Sequence, residues 1–200
     1  TVMYQLQPLP FLYQDLEPFI DTHTMGLHYQ KHQRNYLNQL NLLLEKNHYN
    51  YQYPIETLYQ HLSLFPASYR NDILFYWGGV VNHDLYFQSI NPRNREIPNT
   101  TLLKMLEETF GSYEKFKAKF IEYAMSLKGS GYTFLVKKPD GSLTILNTMN
   151  QDSPLSYGFV PLLNVDMWEH AYYLNYKNEK MNYLSNFFEI VNFSYANSKC

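Results

Sequence analysis

After about residue 127 the apolar residues of this chain change their period, and that change limits the folds open to it. Before it, Leu27, Leu37, Leu40 and Leu44 recur at spacings of three, four and seven, the stripe of a long helix that Asp21 or Thr22 can cap. After it, Tyr132, Phe134 and Val136 alternate, the run "KPDG" follows, and Leu143 and Ile145 resume the alternation. A period of two on both sides of a Pro-Asp-Gly turn predicts a β-hairpin.

Other segments follow from similar signals. Pro8, Pro10 and Pro18 keep the first 20 residues extended, as an arm around the body. "NHYNYQYP" (47–54) breaks the first helix, a second helical stretch starts near Ile55, and "RNDILFYWGGVVNHDLYFQSI" makes a third, longer one. Two long helices joined by a short polar link predict an antiparallel helical hairpin. "NPRNREIPNT" (91–100) reads as a linker, followed by helices near 101–110 and 112–127. After the β-hairpin, "YGFVPLLNVD" reads as a third strand and "HAYYLNYKNEKMNYLSNFFEIVNF" returns to helix. The expected class is α+β: an N-terminal helical hairpin domain over 1–90 and a C-terminal α/β domain over 91–200 with a three-stranded antiparallel sheet.

Charge and cysteine content narrow the function classes. A net charge of -2 carries no basic footprint for nucleic acid or an anionic membrane surface. The one cysteine, Cys200, rules out an intramolecular disulfide and a thiolate metal cluster, and suits a reducing compartment. No apolar run approaches the ~20 residues that span a bilayer. The opening stretch lacks a basic n-region and a long apolar h-region, so a cytoplasmic location is expected, or the mitochondrial matrix if a presequence has been removed.

Seven histidines and one strand-terminal acid carry the chemistry. His28, His32 and Tyr36 fall on one helical face at four-residue intervals, an arrangement that also suits a surface stripe. His83, in "VVNHDLYF", sits in an apolar helix and needs a buried partner, which an ordinary hydrogen bond could supply. Asp166 closes the apolar run "PLLNVD", where a carboxylate is costly unless paired, bound to a cation or used as a helix cap. His170 follows four residues later. Two helix-borne imidazoles, a carboxylate and a further imidazole make a His3Asp set, which suits Fe or Mn better than structural zinc. Tyr36, Trp77, Phe87, Tyr132, Trp168 and Tyr172 are the rings expected to keep such an ion dry. Met25, Met105, Met125 and Met167 read as core filler, and His23, His48 and His61 as surface residues.

The sequence resembles the iron/manganese superoxide dismutases over almost its whole length. "DMWEHAYYLNYKN" looks like that family's D-x-W-E-H-A-Y-Y motif, and "LHYQKHQRNYLNQLN", "GGVVNHDLYF", "GSGYTFLV" and "NQDSPL" match in order. The resemblance implies that His28, His83, Asp166 and His170 hold the metal between an N-terminal helical hairpin and a C-terminal α/β domain. It implies that Tyr36 and His32 line the substrate channel and relay protons. Glu169 and Tyr173 match residues that cross the subunit interface of a homodimer, the tetramer being the other assembly. Lys180 matches a basic position of the funnel that draws in the superoxide anion. Lys31 and Arg34 are further candidates for that attraction, or plain solvated surface.

The family's adjuster of redox potential is a glutamine bonded to the metal-bound solvent, and it comes from either of two chain positions. In the usual iron type it lies four residues before the second ligand, where this chain has Gly79; in the manganese type it lies in the strand region, where "MNQDSPL" supplies Gln151. The Gly79–Gln151 pairing favours Mn, one ion per chain, with Fe or either metal the alternative. Several residues depart from the pattern: Val80 stands where His is frequent, Phe87 where Trp is common, Tyr132 and Phe134 at a frequent Trp pair, and Asn164 where Gly or Thr is usual. Two rival readings are a mononuclear Fe oxygenase, which needs only two His and a carboxylate, and a catalytically silent relative serving as a structural subunit.

Overall fold

A computed structural model describes residues 2–200. The arm is extended as far as Leu12, turns through a 3-10 segment at Tyr13–Leu16, and buries Phe11, Leu16 and Ile20 in the core. Asp21 then caps the first helix, its carboxylate accepting from Thr24 N–H at 2.7 Å.

The first helix is not the regular one that its leucine spacing predicts. It runs as α1 (Thr22–Leu27), a π-helical turn (His28–Gln33) and α2 (Arg34–Lys46). A wider turn inside a helix re-aims side chains that a uniform period would put in register, and apolar spacing alone does not reveal it. The second helical stretch, Ile55–Leu64, is 3-10 rather than α, with a kink at His61. α3 (Ala67–Gln88) runs beside α2 and completes the N-terminal hairpin. From Trp77 to Phe87 α3 is covered on nearly every side, whereas its first two turns expose Ser68, Asn71 and Asp72. Ile73, Trp77 and Val80 meet Leu37, Leu40 and Leu44 of α2, Leu85 meets the sheet, and the Tyr86 ring lies parallel to Phe187.

The linker at 91–99 has no regular structure but is tied down. Glu96 N–H donates to Asn192 Oδ1 at 2.7 Å and Asn99 N–H to Asn197 Oδ1 at 2.9 Å. α4 (Thr100–Phe110) and α5 (Tyr113–Ser126) follow, capped by Asn99 and Ser112. The sheet consists of β1 (Gly131–Lys137), β2 (Leu143–Met149) and β3 (Val160–Asp166), in the order β2-β1-β3, all antiparallel. β1 is buried on both faces. Tyr132, Phe134 and Val136 pack with Leu85 of α3, whereas Leu135 joins Phe116, Phe120 and Ala124 of α5.

The C-terminal helix expected over 170–193 is broken. A 3-10 turn (Glu169–Ala171) leads to α6 (Tyr173–Tyr176), α7 (Lys180–Ile190) and α8 (Ser194–Lys199). Lys177, at φ 54, ends α6, and Val191 leaves helical geometry to pair with Ile90 at the end of α3. Met125 is likewise not core filler, being 40% exposed, whereas Met25 and Met167 are buried. No helix among the described residues is long and apolar enough to cross a membrane.

Candidate metal centre

Four elements deliver one side chain each to a common point. His28 opens the π turn, His83 lies about three-quarters of the way along α3, Asp166 ends β3 and His170 sits on the 3-10 turn that follows. Asp166 Oδ2 is 2.9 Å from His28 Nε2, 3.5 Å from His83 Nε2 and 3.4 Å from His170 Nε2. The four candidate ligand atoms all lie within 4.8 Å of one another. Asp166 does not cap the turn that follows, whose N-cap is Trp168; its Oδ1 accepts from Trp168 N–H at 2.8 Å in a local turn, while Oδ2 faces the imidazoles.

The protonation states suit a cation. Burial pushes the Asp166 carboxyl upward, yet the His170 and His28 imidazoles outweigh it and hold the group below the usual carboxylate range. Burial lowers His28 and His83 and keeps them neutral. His83 Nδ1–H donates to Gly79 O at 2.6 Å, which leaves the Nε2 lone pair free. One buried carboxylate and three imidazoles with converging nitrogens fit a mononuclear Fe or Mn ion, and no thiolate is near to favour structural zinc.

Rings enclose the cluster. Tyr86 and Phe87 stand 5.4 and 5.2 Å from the His28 ring, Tyr36 5.3 Å and Tyr132 6.1 Å from His83, and Trp168 5.6 Å from His170. His32 stacks on His170 at 4.2 Å, and burial with the neighbouring imidazoles lowers its pKa to about 4. Trp77 and Tyr172, expected in this wall, are engaged elsewhere. The Trp77 indole donates to Ile55 O at 2.7 Å, and Tyr172 stacks on Tyr183 at 5.1 Å.

Two family models match the chain: the alpha-hairpin domain of iron/manganese superoxide dismutases over residues 3–91 and their C-terminal domain over 98–199. The chain belongs to the iron/manganese superoxide dismutases. A manganese superoxide dismutase of Thermus aquaticus is 39% identical over 193 residues, covering 96% of this chain and 95% of the relative. Those of Pseudomonas aeruginosa and Listeria innocua are 39% and 38% identical, covering 94% and 98% of this chain and 92% and 96% of their own.

The dismutase chain brings Gln151 against Tyr36 beside this cluster, with Gln151 Nε2 donating to Tyr36 Oη at 3.1 Å. Gly79 provides the room, since a Cβ there would stand 2.3 Å from the Tyr36 ring. Glu169 and Tyr173 lie at the surface, and Lys180 is half-buried at the start of α7. Lys31 and Arg34 are exposed, and Arg34 donates to Gln30 Oε1 at 3.0 Å.

Three residues that the sequence reading passed over also shape the site. Tyr183 Oη donates to Asp166 O at 2.9 Å, and Tyr86 Oη, 2.7 Å from it, therefore donates to Tyr183. Asn82 ties the loop after β2 to α3 by donating to the carbonyls of Gln151 and Asp152, both at 3.1 Å. A signal was present in each case: a phenol or an amide inside an apolar segment needs a partner.

Proposed function

We propose that this dismutase converts superoxide to O2 and H2O2 with one manganese ion per chain, held by His28, His83, Asp166 and His170. The convergence of three imidazole nitrogens on one buried carboxylate oxygen carries the reading. When bound, the ion supplies one-electron chemistry, alternating between +3 and +2 so that one superoxide is oxidised and the next reduced. The rest falls to the chain. Asp166 stays ionised, and its charge offsets part of the ion's. The Gly79 carbonyl fixes the His83 tautomer. Burial raises the Tyr36 phenol, which keeps its proton at neutral pH and passes protons toward the product with His32 at the channel mouth. Gln151 holds that phenol and adjusts the redox potential.

Manganese is favoured by the same geometry. The space a glutamine at residue 79 would need is filled by the Tyr36 ring, and Gln151 occupies the other position. The curated relatives named above are manganese enzymes. Surface-exposed Glu169 and Tyr173 support a homodimer across that face, Lys180 a basic funnel, and the lone thiol of Cys200 a cytoplasmic location. The chain divides into domains at 1–90 and 91–200.

Elemental analysis of the native protein, followed by superoxide turnover after reconstitution with Mn or Fe separately, tests the reading. About one Mn per chain and full activity with Mn are expected. Restoration by iron alone would overturn the metal assignment, and no turnover with either ion would overturn the reaction.

A further inference from the structure

A cavity of about 520 Å³ opens beside α3 and includes none of the four metal-binding side chains. Its size falls within the ~300–1,000 Å³ of small-molecule sites. Val81 and Leu85 of α3, Phe134 of β1, and Val160 and Pro161 of β3 give it apolar walls. The N-terminal arm forms a further wall through Tyr4, Gln5 and Gln7. That wall is tied in place. Asn41 Nδ2 donates to Tyr4 O at 2.9 Å, the Tyr4 phenol donates to Tyr53 O at 2.8 Å, and the Tyr29 phenol donates to Gln7 O.

The charges facing this space are unbalanced. Asp84 lines it, and the exposed Glu56 joins from the 3-10 stretch. Gln33 Nε2 donates to Asp84 Oδ1 at 2.9 Å, but among the described residues no donor reaches Oδ2 and neither acid forms an ion pair. Lys199 is the only cation in the lining, and its Nζ sits over the Tyr195 ring at 5.3 Å. The Asn82 amide, also in the lining, is committed to the carbonyls of Gln151 and Asp152. A carboxylate set in apolar walls is costly unless a donor or a cation answers it, and here one oxygen is left unanswered.

We propose that this cavity binds a small organic cation, a primary ammonium group on an apolar body, with the ammonium donating to Asp84 Oδ2 and the body packed against Val81, Leu85 and Phe134. An N–H donor that carries a charge makes the stronger kind of hydrogen bond to a carboxylate. Glu56 adds a second negative charge on the same side, so an anion is repelled. A bare divalent metal ion fits less well, because it needs about six oxygen ligands and the walls are mostly hydrocarbon.

The test is a calorimetric titration of the Mn-loaded protein at pH 8 with phenethylamine. One site per chain is expected, with Kd below about 1 mM. The uncharged analogue 2-phenylethanol should bind at least about tenfold more weakly, and phenylacetate should not bind. Asp84→Asn should weaken phenethylamine at least about tenfold, and Glu56→Gln about two- to threefold, as suits an exposed charge. Val81→Phe fills the cavity and should abolish binding with the metal content unchanged, an arm that stands even if Asp84→Asn fails to fold. The proposal is overturned if phenethylamine shows no saturable binding, if the alcohol binds as tightly as the amine, or if binding survives Asp84→Asn or Val81→Phe. Displacement of the amine by an equal concentration of Mg²⁺ would also overturn it, by giving the carboxylates to a metal ion. None of the four metal-binding side chains lines the cavity, so the titration decides the site whether or not the dismutase reading stands.

Discussion

The Tyr36 ring rests directly on Gly79, where a Cβ would stand 2.3 Å from Cδ1 and 2.5 Å from Cγ. One residue earlier, a Cβ on Gly78 would stand 2.0 Å from Gln151 O. The two glycines therefore let α3 receive a ring from α2 and a backbone loop from the C-terminal domain side by side. That double approach is what brings Tyr36 and Gln151 into hydrogen-bond contact.

Gly79→Ala should accordingly be harmful in a way a mid-helix alanine usually is not. Helix propensity favours alanine by ~1 kcal/mol, but overpacking against a ring costs ~1–3 kcal/mol. A net loss of stability is expected in urea titrations, along with lower kcat as Tyr36 moves. In a double-mutant cycle, Gly79→Ala and Tyr36→Ala should be less than additive, by at least about 0.5 kcal/mol. Strict additivity would mean that the methyl is accommodated elsewhere.

Sequence legibility was high where a single period governs a segment. The alternation at Tyr132, Phe134 and Val136 gave the correct strand, and the four ligands meet at one point although 142 positions separate His28 from His170. It failed where tertiary contacts override local preference. The π turn at His28–Gln33 and the break at Lys177 leave no mark in apolar spacing. The ring of Trp77 suits the metal's wall, but its N–H needs an acceptor and finds Ile55 O at the start of the 3-10 stretch between α2 and α3. Asp166 could be a cap or a ligand from sequence; the turn that follows takes Trp168 as its N-cap, and Asp166 Oδ2 faces the imidazoles.

Metal removal should destabilise the fold measurably. The donors sit on α3, β3 and two turns, so an ion that binds only the folded chain stabilises it by about 2.7 kcal/mol at a concentration 100-fold above Kd. Chelation should lower Tm, and Mn should restore it. Asp166→Asn removes the anionic donor and should abolish that Mn-dependent rise. A Tm indifferent to metal in wild type would place the ion, if any, elsewhere.

The Asp84 carboxyl supplies a pH dependence of known sign. Burial pushes its pKa up to about 7, against the Gln33 amide that donates to Oδ1 at 2.9 Å and with the help of the Glu56 charge. The folded chain therefore keeps a proton that the unfolded chain releases near pH 4. Stability from this group is complete below about pH 4, falls as pH rises, and is lost above about pH 7. Asp84→Asn, neutral at every pH, should match wild type near pH 4 and exceed it near pH 8 in urea midpoints of the Mn-loaded protein. A difference that does not change with pH would contradict the assignment.

Asn82 offers the sharpest separation of stability from activity. Its buried side-chain amide donates to the carbonyls of Gln151 and Asp152, and its backbone carbonyl accepts from Asn164 Nδ2 at 3.0 Å. Asn82→Ala strips a donor from two carbonyls at once, at a cost of about 1–3 kcal/mol in stability. The larger consequence falls on Gln151, whose backbone loses its anchor to the helix that carries His83. A drop in kcat of about 10–100-fold is expected, with metal content retained, because none of the four ligands is touched. Asn82→Asp, which sets a carboxylate against two carbonyls, should be worse on both measures. If Asn82→Ala loses stability while kcat stays at the wild-type value, the contact with Tyr36 suffices to hold Gln151, and the amide of Asn82 serves only the fold.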